Sequence, residues 1–157
     1  MREYLFHGKS KETGEWVEGY YACESNHACF QSELKHKHYI FRDEFMDWNL
    51  GGLASYEVIP ESVGQYTGMK DKNGRKIFEG DIVRCQKRFD RPYSDKRKSK
   101  RHIGVVKYQV RGSHFDYAAE WIVEVEDYGK FVHGAWGDFY DCEVIGNVFE
   151  NADLLEG

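Results

Sequence analysis

Two prolines and three methionines are all that 157 residues contain, and no apolar run approaches the roughly 18 residues of a spanning helix. Such scarcity of proline excludes a Pro-rich linker or an extended disordered tail. The opening Met1-Arg2-Glu3-Tyr4-Leu5-Phe6-His7 carries no apolar h-region, so no secretory signal is expected. Cysteine is sparse as well: Cys23, Cys29, Cys85 and Cys142. Two disulfides would require an oxidising compartment, whereas four free thiols suit the bacterial cytoplasm, which is the expected location. The chain also lacks G-x-S-x-G, H-E-x-x-H, a Walker pattern and G-x-G-x-x-G. The expectation is a non-enzymatic protein without a cofactor.

What the chain has in quantity is aromatic side chains and glycine. Aromatics make up 16%, with 11 Tyr, 10 Phe and 4 Trp, beside 16 glycines. Rings prefer pleated, half-buried surfaces, and glycine marks turns, so a mainly β fold is expected. The length suits one domain or two very small ones. "EWVEGYYAC" sets Trp16, Glu18, Tyr20 and Ala22 on one side and Val17, Gly19, Tyr21 and Cys23 on the other. "SKETGE" reads as a hairpin loop before it. "HYIF" (38–41) is apolar, and "RDEFMDWNLGG" after it reads as a short helical turn ended by Gly51-Gly52. "YEVIP" reads as a strand whose Pro60 marks an exit. A boundary follows, giving a β-rich subdomain over 1–62 and a second domain over 63–157. Downstream, "IGVVKYQV" and "EWIVEVE" alternate with the period of half-buried antiparallel strands, and "CEVIGNVF" supplies a last one.

"GQYTGMKDKNGRKIFEGDIVR" (64–84) holds four glycines and an Asn-Gly pair. Asn73-Gly74 predicts a type I′ hairpin turn, and Gly80 a kink ahead of Asp81-Ile82-Val83. A strand pattern follows, so these glycines serve a fold and not a phosphate. Taken with "VIPES" before it, "IGVVKY" and the closing "EVIGNVFENADLLEG", this block resembles the YopX-like family of phage and prophage proteins. Tyr66-Thr67-Gly68 to Asp81, and Val144-Ile145-Gly146-Asn147, carry that resemblance in order. It implies an N-terminal β subdomain, a C-terminal SH3-like small barrel and a mobile genetic element as source. It implies no activity.

Four surfaces are candidates for function. Residues 86–101, "QKRFDRPYSDKRKSKR", hold Lys87, Arg88, Arg91, Lys96, Arg97, Lys98, Lys100 and Arg101 against two Asp, a local +6 in a chain of net charge −5. This is a nucleic-acid candidate, read against a solvated loop that keeps an acidic protein in solution. Cys23, His27, Cys29, His36 and His38 have the ligand types of zinc, yet their spacing matches no common zinc pattern. Read as a shallow aromatic face, Tyr66, Tyr93 and Trp121 would contact an unknown protein partner from phage or host. "HGAWGDFYDCE" (133–143) gathers His133, Trp136, Asp138, Tyr140 and Asp141, and a Gly-punctuated hairpin accounts for it without catalysis. Self-association into a homo-oligomer is expected through exposed strands such as "EWIVEVE" and "IGVVKY". No membrane partner is expected.

Overall fold

The computed structural model describes residues 4–25, 36–46, 50–87, 101–113, 116–127, 130–135 and 139–156. Among the described residues every regular element is a strand, apart from 3-10 turns at Pro60–Ser62 and Ala152–Leu155. The strands form antiparallel sheets, as the aromatic and glycine content predicts. Two compact units divide the chain, Met1–Tyr66 and Thr67–Gly157.

In the first unit, β1 (Phe6–Lys9), β2 (Trp16–Ser25), β3 (His36–Met46) and β4 (Leu50–Glu57) lie in the order β4-β3-β2-β1, with the start of β5 (Gly64–Lys70) beside β1. The alternation read from "EWVEGYYAC" is present, since Val17 and Gly19 are buried while Glu18, Tyr20 and Ala22 are exposed. Val17, Ile40 and Val58 form the core, with Phe6, Tyr56 and Val63 packed against them. The link from β1 to β2 turns at Gly14, whose φ of 70° needs no Cβ, and Ser10 N–H closes it on Glu15 O at 2.9 Å. The helical turn expected in "RDEFMDWNLGG" is not formed among its described residues. Arg42 to Met46 and Leu50 to Gly52 are instead opposed strand residues, from Arg42↔Ala54 to Met46↔Leu50. A helical turn there would forgo those ladder hydrogen bonds, and backbone groups must find partners somewhere. Tertiary pairing overrides the local signal.

In the second unit, β6 (Lys76–Phe78) follows the second half of β5. The remaining strands, β7 (Asp81–Lys87), β8 (Arg101–Ser113), β9 (Asp116–Asp127), β10 (Lys130–Ala135) and β11 (Phe139–Asn147), lie in the order β10-β9-β8-β7-β11. Ile77, Val83, Cys85, Val106, Trp121, Val123, Val125, Phe139, Cys142 and Val144 form its core. Successive strands β10 and β11 occupy opposite ends of this order, so 133–143 is not the hairpin expected but the link between the two ends. Only four Cα steps separate Ala135 from Phe139, a reach of at most about 15 Å. Four strand spacings across a flat sheet come to about 19 Å, so the sheet must curl. Bulges in β11, where the register shifts between Tyr140 and Glu143 and between Val144 and Gly146, bend it. No pairing of β10 with β11 closes the curl among the described residues. The mainly β class expected is present, and the SH3-like small barrel expected of this unit is not seen as a closed barrel among the described residues.

Cys85 and Cys142 are joined by a disulfide, which corrects the expectation of four free thiols. Their side chains meet because the bulge at Asp141-Cys142, where Asp141 has φ of 52°, turns Cys142 into the core beside β7. Cys23 is free and exposed.

Candidate functional site

The glycine-rich block folds into a corner of the second unit, built by two carboxylates. Asp71 Oδ1 accepts from Asn73 N–H at 2.8 Å and Arg75 N–H at 2.9 Å, while Oδ2 accepts from Val144 N–H of β11 at 3.2 Å. Gly74 N–H returns to Asp71 O at 3.0 Å, and Gly74 alone of the central pair has positive φ, 84°. The turn is thus a type I turn closed by a left-handed glycine, not the type I′ turn predicted from Asn-Gly. Asp71 selects it, because its side chain already fixes the backbone two residues on. Lys72 N–H reaches Cys142 O at 2.9 Å, and Lys72 Nζ pairs with Glu143 at 2.7 Å, so the turn covers part of β11. Burial alone would raise the Asp71 carboxyl, but the N–H groups of Val144, Arg75 and Asn73 hold it below its ordinary value.

Asp81 follows the kink at Gly80, whose φ is 82°. It is 1% exposed and accepts from Phe78 N–H at 2.8 Å. Burial pushes its carboxyl up to about 6, against the opposing pull of the Phe78 N–H and the Arg75 charge. Nearby, Thr67 Oγ1 donates to Ile77 O at 2.8 Å and accepts from Met69 N–H at 3.2 Å. Asp71, Asp81 and Thr67 are each bonded to backbone groups, and none of these bonds needs a ligand. The residues that carry the family resemblance hold a fold.

The basic segment joins β7 to β8, whose last described pair is Gln86↔Arg101. Arg101 is exposed and lies 4.0 Å from Asp141. Lys87 ends β7, and Arg88, Arg91, Lys96, Arg97, Lys98 and Lys100 lie outside the described residues.

The expected aromatic face is not assembled as an exposed surface. Tyr66 is 6% exposed and Trp121 8%, while Tyr93 lies outside the described residues. Trp121 packs edge-on against Tyr108, ring centroids 5.1 Å apart. In the first unit, a different set of rings faces outward. Tyr20 is 59% exposed and stands opposite Phe41, and Tyr39 lies on the same side, 6.2 Å from the Phe41 ring. Glu18 and Asp43 flank these rings on exposed positions. The alternation of "EWVEGYYAC" contained the signal for Tyr20, but the partner strand that supplies Phe41 and Tyr39 was not legible as a strand face.

On the other side of that sheet, Tyr21 OH shares a 2.6 Å hydrogen bond with His38 Nδ1, and Cys23 Sγ lies 3.9 Å from His36 Nδ1. His27 and Cys29 lie outside the described residues. Among the described residues no three His, Cys, Asp or Glu side chains come together as metal ligands. Nor is any helix long and apolar enough to cross a membrane.

A two-unit, antiparallel β protein with a carboxylate-fixed turn docked on its last strand is the class these features define. The YopX protein family matches residues 6–156, nearly the whole chain, and this chain belongs to that family. A crystal structure, protein EF1440 from Enterococcus faecalis, is 22% identical over 99% of both chains with a TM-score of 0.40. No curated protein matches.

Proposed function

We propose that this YopX-family chain is a non-enzymatic interaction module of a phage or prophage, which binds a protein partner in the bacterial cytoplasm. The supporting observation is the outward ring cluster of the first unit, Tyr20 with Phe41 and Tyr39, on a sheet side edged by Glu18 and Asp43. Rings bounded by charges are the composition of a contact surface, apolar at the centre and polar at the rim. A partner held there binds through ring burial, so the complex survives about 1 M salt, where charges are screened beyond about 3 Å. The test is affinity capture from host extract at that salt with the natural chain and with Tyr20→Glu. A protein retained by the first and lost by the second is expected; capture that is equal for both, or that vanishes with salt, overturns the reading. In a cytoplasm thiols are kept reduced, so Cys85 and Cys142 would stand there as two adjacent buried thiols. Thiol trapping at lysis followed by mass spectrometry reads their state, and a bonded pair would move the protein to an oxidising compartment.

A second reading is non-specific nucleic-acid binding through the 86–101 segment. It is favoured by eight cations within residues 86–101, a stretch that runs from the end of β7 to the start of β8, in a chain whose remainder is acidic. Binding to short DNA or RNA would then fall steeply between about 50 mM and 200 mM salt. Neutralising Lys96, Arg97, Lys98, Lys100 and Arg101 would abolish it. Anisotropy unchanged at low salt would remove this reading.

A further inference from the structure

Self-association was expected through "IGVVKY" and "EWIVEVE", but β8 and β9 are paired on both sides inside the sheet. The ends of the sheets are elsewhere, and they differ in how they are guarded. An open strand edge is a template for another strand unless it is short, bulged, charged or covered. At three residues, β6 is too short to serve. β11 is bulged, carries Asp141 and Glu143, and has the Asp71 turn bonded to it at Cys142 and Val144. β10 begins with Lys130. On β4 these devices are confined to its last residue, Glu57, whose carbonyl accepts from Lys11 N–H at 2.9 Å and whose carboxylate pairs with Lys11; the stretch before it carries none of them. This strand is eight residues long, and Leu50 to Tyr56 contains no charge and no proline. Leu53 at its middle is 59% exposed, among the most exposed large apolar side chains described.

We propose that β4 is a self-pairing edge, where a second copy of this chain adds its own β4 antiparallel about a twofold axis at Leu53. Symmetry selects the register. A twofold axis normal to the sheet keeps each side of the sheet on its own side, so residues of like parity must face each other. Centring on Leu53 sets Leu53 against Leu53, Gly52 against Ala54, Gly51 against Ser55 and Leu50 against Tyr56. No charge enters that register. Centring on Ala54 would instead bring Glu57 into it, opposite Gly51. The paired Leu53 side chains lie about 5 Å apart in such a geometry and cover each other from water. Small side chains at Gly52 and Ala54 let the backbones approach without obstruction. The contact is one strand pair wide, so it belongs to the weak class of interfaces. It stands apart from the ring cluster, because Tyr20 is two strands removed from this edge.

Multi-angle light scattering of the full chain from roughly 1 µM to roughly 1 mM spans the affinities of weak interfaces. The expected result is a rise toward twice the 18.4 kDa chain mass, abolished by Leu53→Lys and unaffected by Tyr20→Ser. Leu53→Lys acts by setting two like charges face to face, and the site is exposed, so its circular dichroism should match the natural chain. As a second measurement, Leu53→Cys in a Cys23→Ser, Cys29→Ser background should form an intermolecular disulfide on mild oxidation, while Ser55→Cys should do so far less. A mass of one chain at every concentration overturns the proposal. So does a dimer that Leu53→Lys leaves intact, or equal cross-linking at both positions.

Discussion

Among the described residues the two units bury different polar groups: hydroxyls alone, Ser10 and Ser62, in the first, and carboxylates as well in the second. In the second, carboxylates and a hydroxyl are turned inward: Asp71, Asp81 and Thr67 are buried and bonded to backbone groups. In the first, a ring and a strand edge uncharged from Leu50 to Tyr56 are turned outward, at Tyr20 and along β4. Most of the glycine-rich block that carries the resemblance lies in the unit whose special residues are consumed in shaping a corner. A residue pattern distinctive enough to mark a family can therefore be silent about partners. The surface with something left to bind is made of ordinary strand residues.

Removing what locks the second unit should separate the two most sharply. Cys85 and Cys142 close a loop over 57 positions, and a cross-link of that size is worth roughly 4 kcal/mol through the unfolded chain. Reduction of the oxidised protein should lower its urea midpoint accordingly. It should also speed hydrogen exchange in β7 and β11 while leaving β1 to β3 as they were. Equal acceleration in both units would mean that they open together, and the contrast drawn above would fail.

Next in size is Asp71→Ala, which leaves three backbone N–H groups without their acceptor. Hydrogen bonds to a charged group are worth roughly 1.5–3 kcal/mol each but are not additive here, so a loss of about 3 kcal/mol is expected. Tyr20→Ser, an exposed change in the other unit, should stay within about 0.5 kcal/mol. Chemical denaturation of both variants checks the pair. An Asp71→Ala cost below about 1 kcal/mol would show that water replaces the carboxylate and that the turn stands without it.

How much of this was legible beforehand varied with the range of the interaction involved. Alternation in "EWVEGYYAC", "IGVVKYQV" and "EWIVEVE" identified strands, because period two is a local property of each stretch. The Asn-Gly signal located a turn but gave the wrong type, since Asp71 fixes the turn from outside the dipeptide. Gly51-Gly52 suggested a helix end, yet both sit in a ladder that only β3 could reveal. Partner strands set everything else. The openness of β4, the enclosure of β8 and β9, and the meeting of Cys85 with Cys142 all follow from sheet order. Sheet order depends on which distant stretches pair, and that is not written in any single stretch. For the same reason Tyr66 and Trp121 read as surface rings and are core.

Asp81 gives the smallest of the expected losses in the second unit and the most specific one, because its dependence on pH is opposite in sign to that of Asp71. Its carboxyl is pushed up to about 6 by burial, from an ordinary value of 3.8. A group raised in the folded state contributes stability that is full below its unfolded value and is lost as pH rises through the folded one. Asp71, held low, does the reverse and loses its contribution as pH falls. Asp81→Asn keeps an oxygen for the Phe78 N–H but cannot ionise. Between pH 4.5 and 7.5 the natural chain should therefore lose roughly 2 kcal/mol relative to this variant, whatever the constant cost of burying an amide. Urea midpoints of the two proteins across that range measure the difference directly. A gap that does not change with pH would show that Asp81 stays ionised in the fold. The corner would then hold two charged carboxylates, each balanced by its N–H donors and by Arg75, and the inward-turned chemistry of this unit would be purely electrostatic.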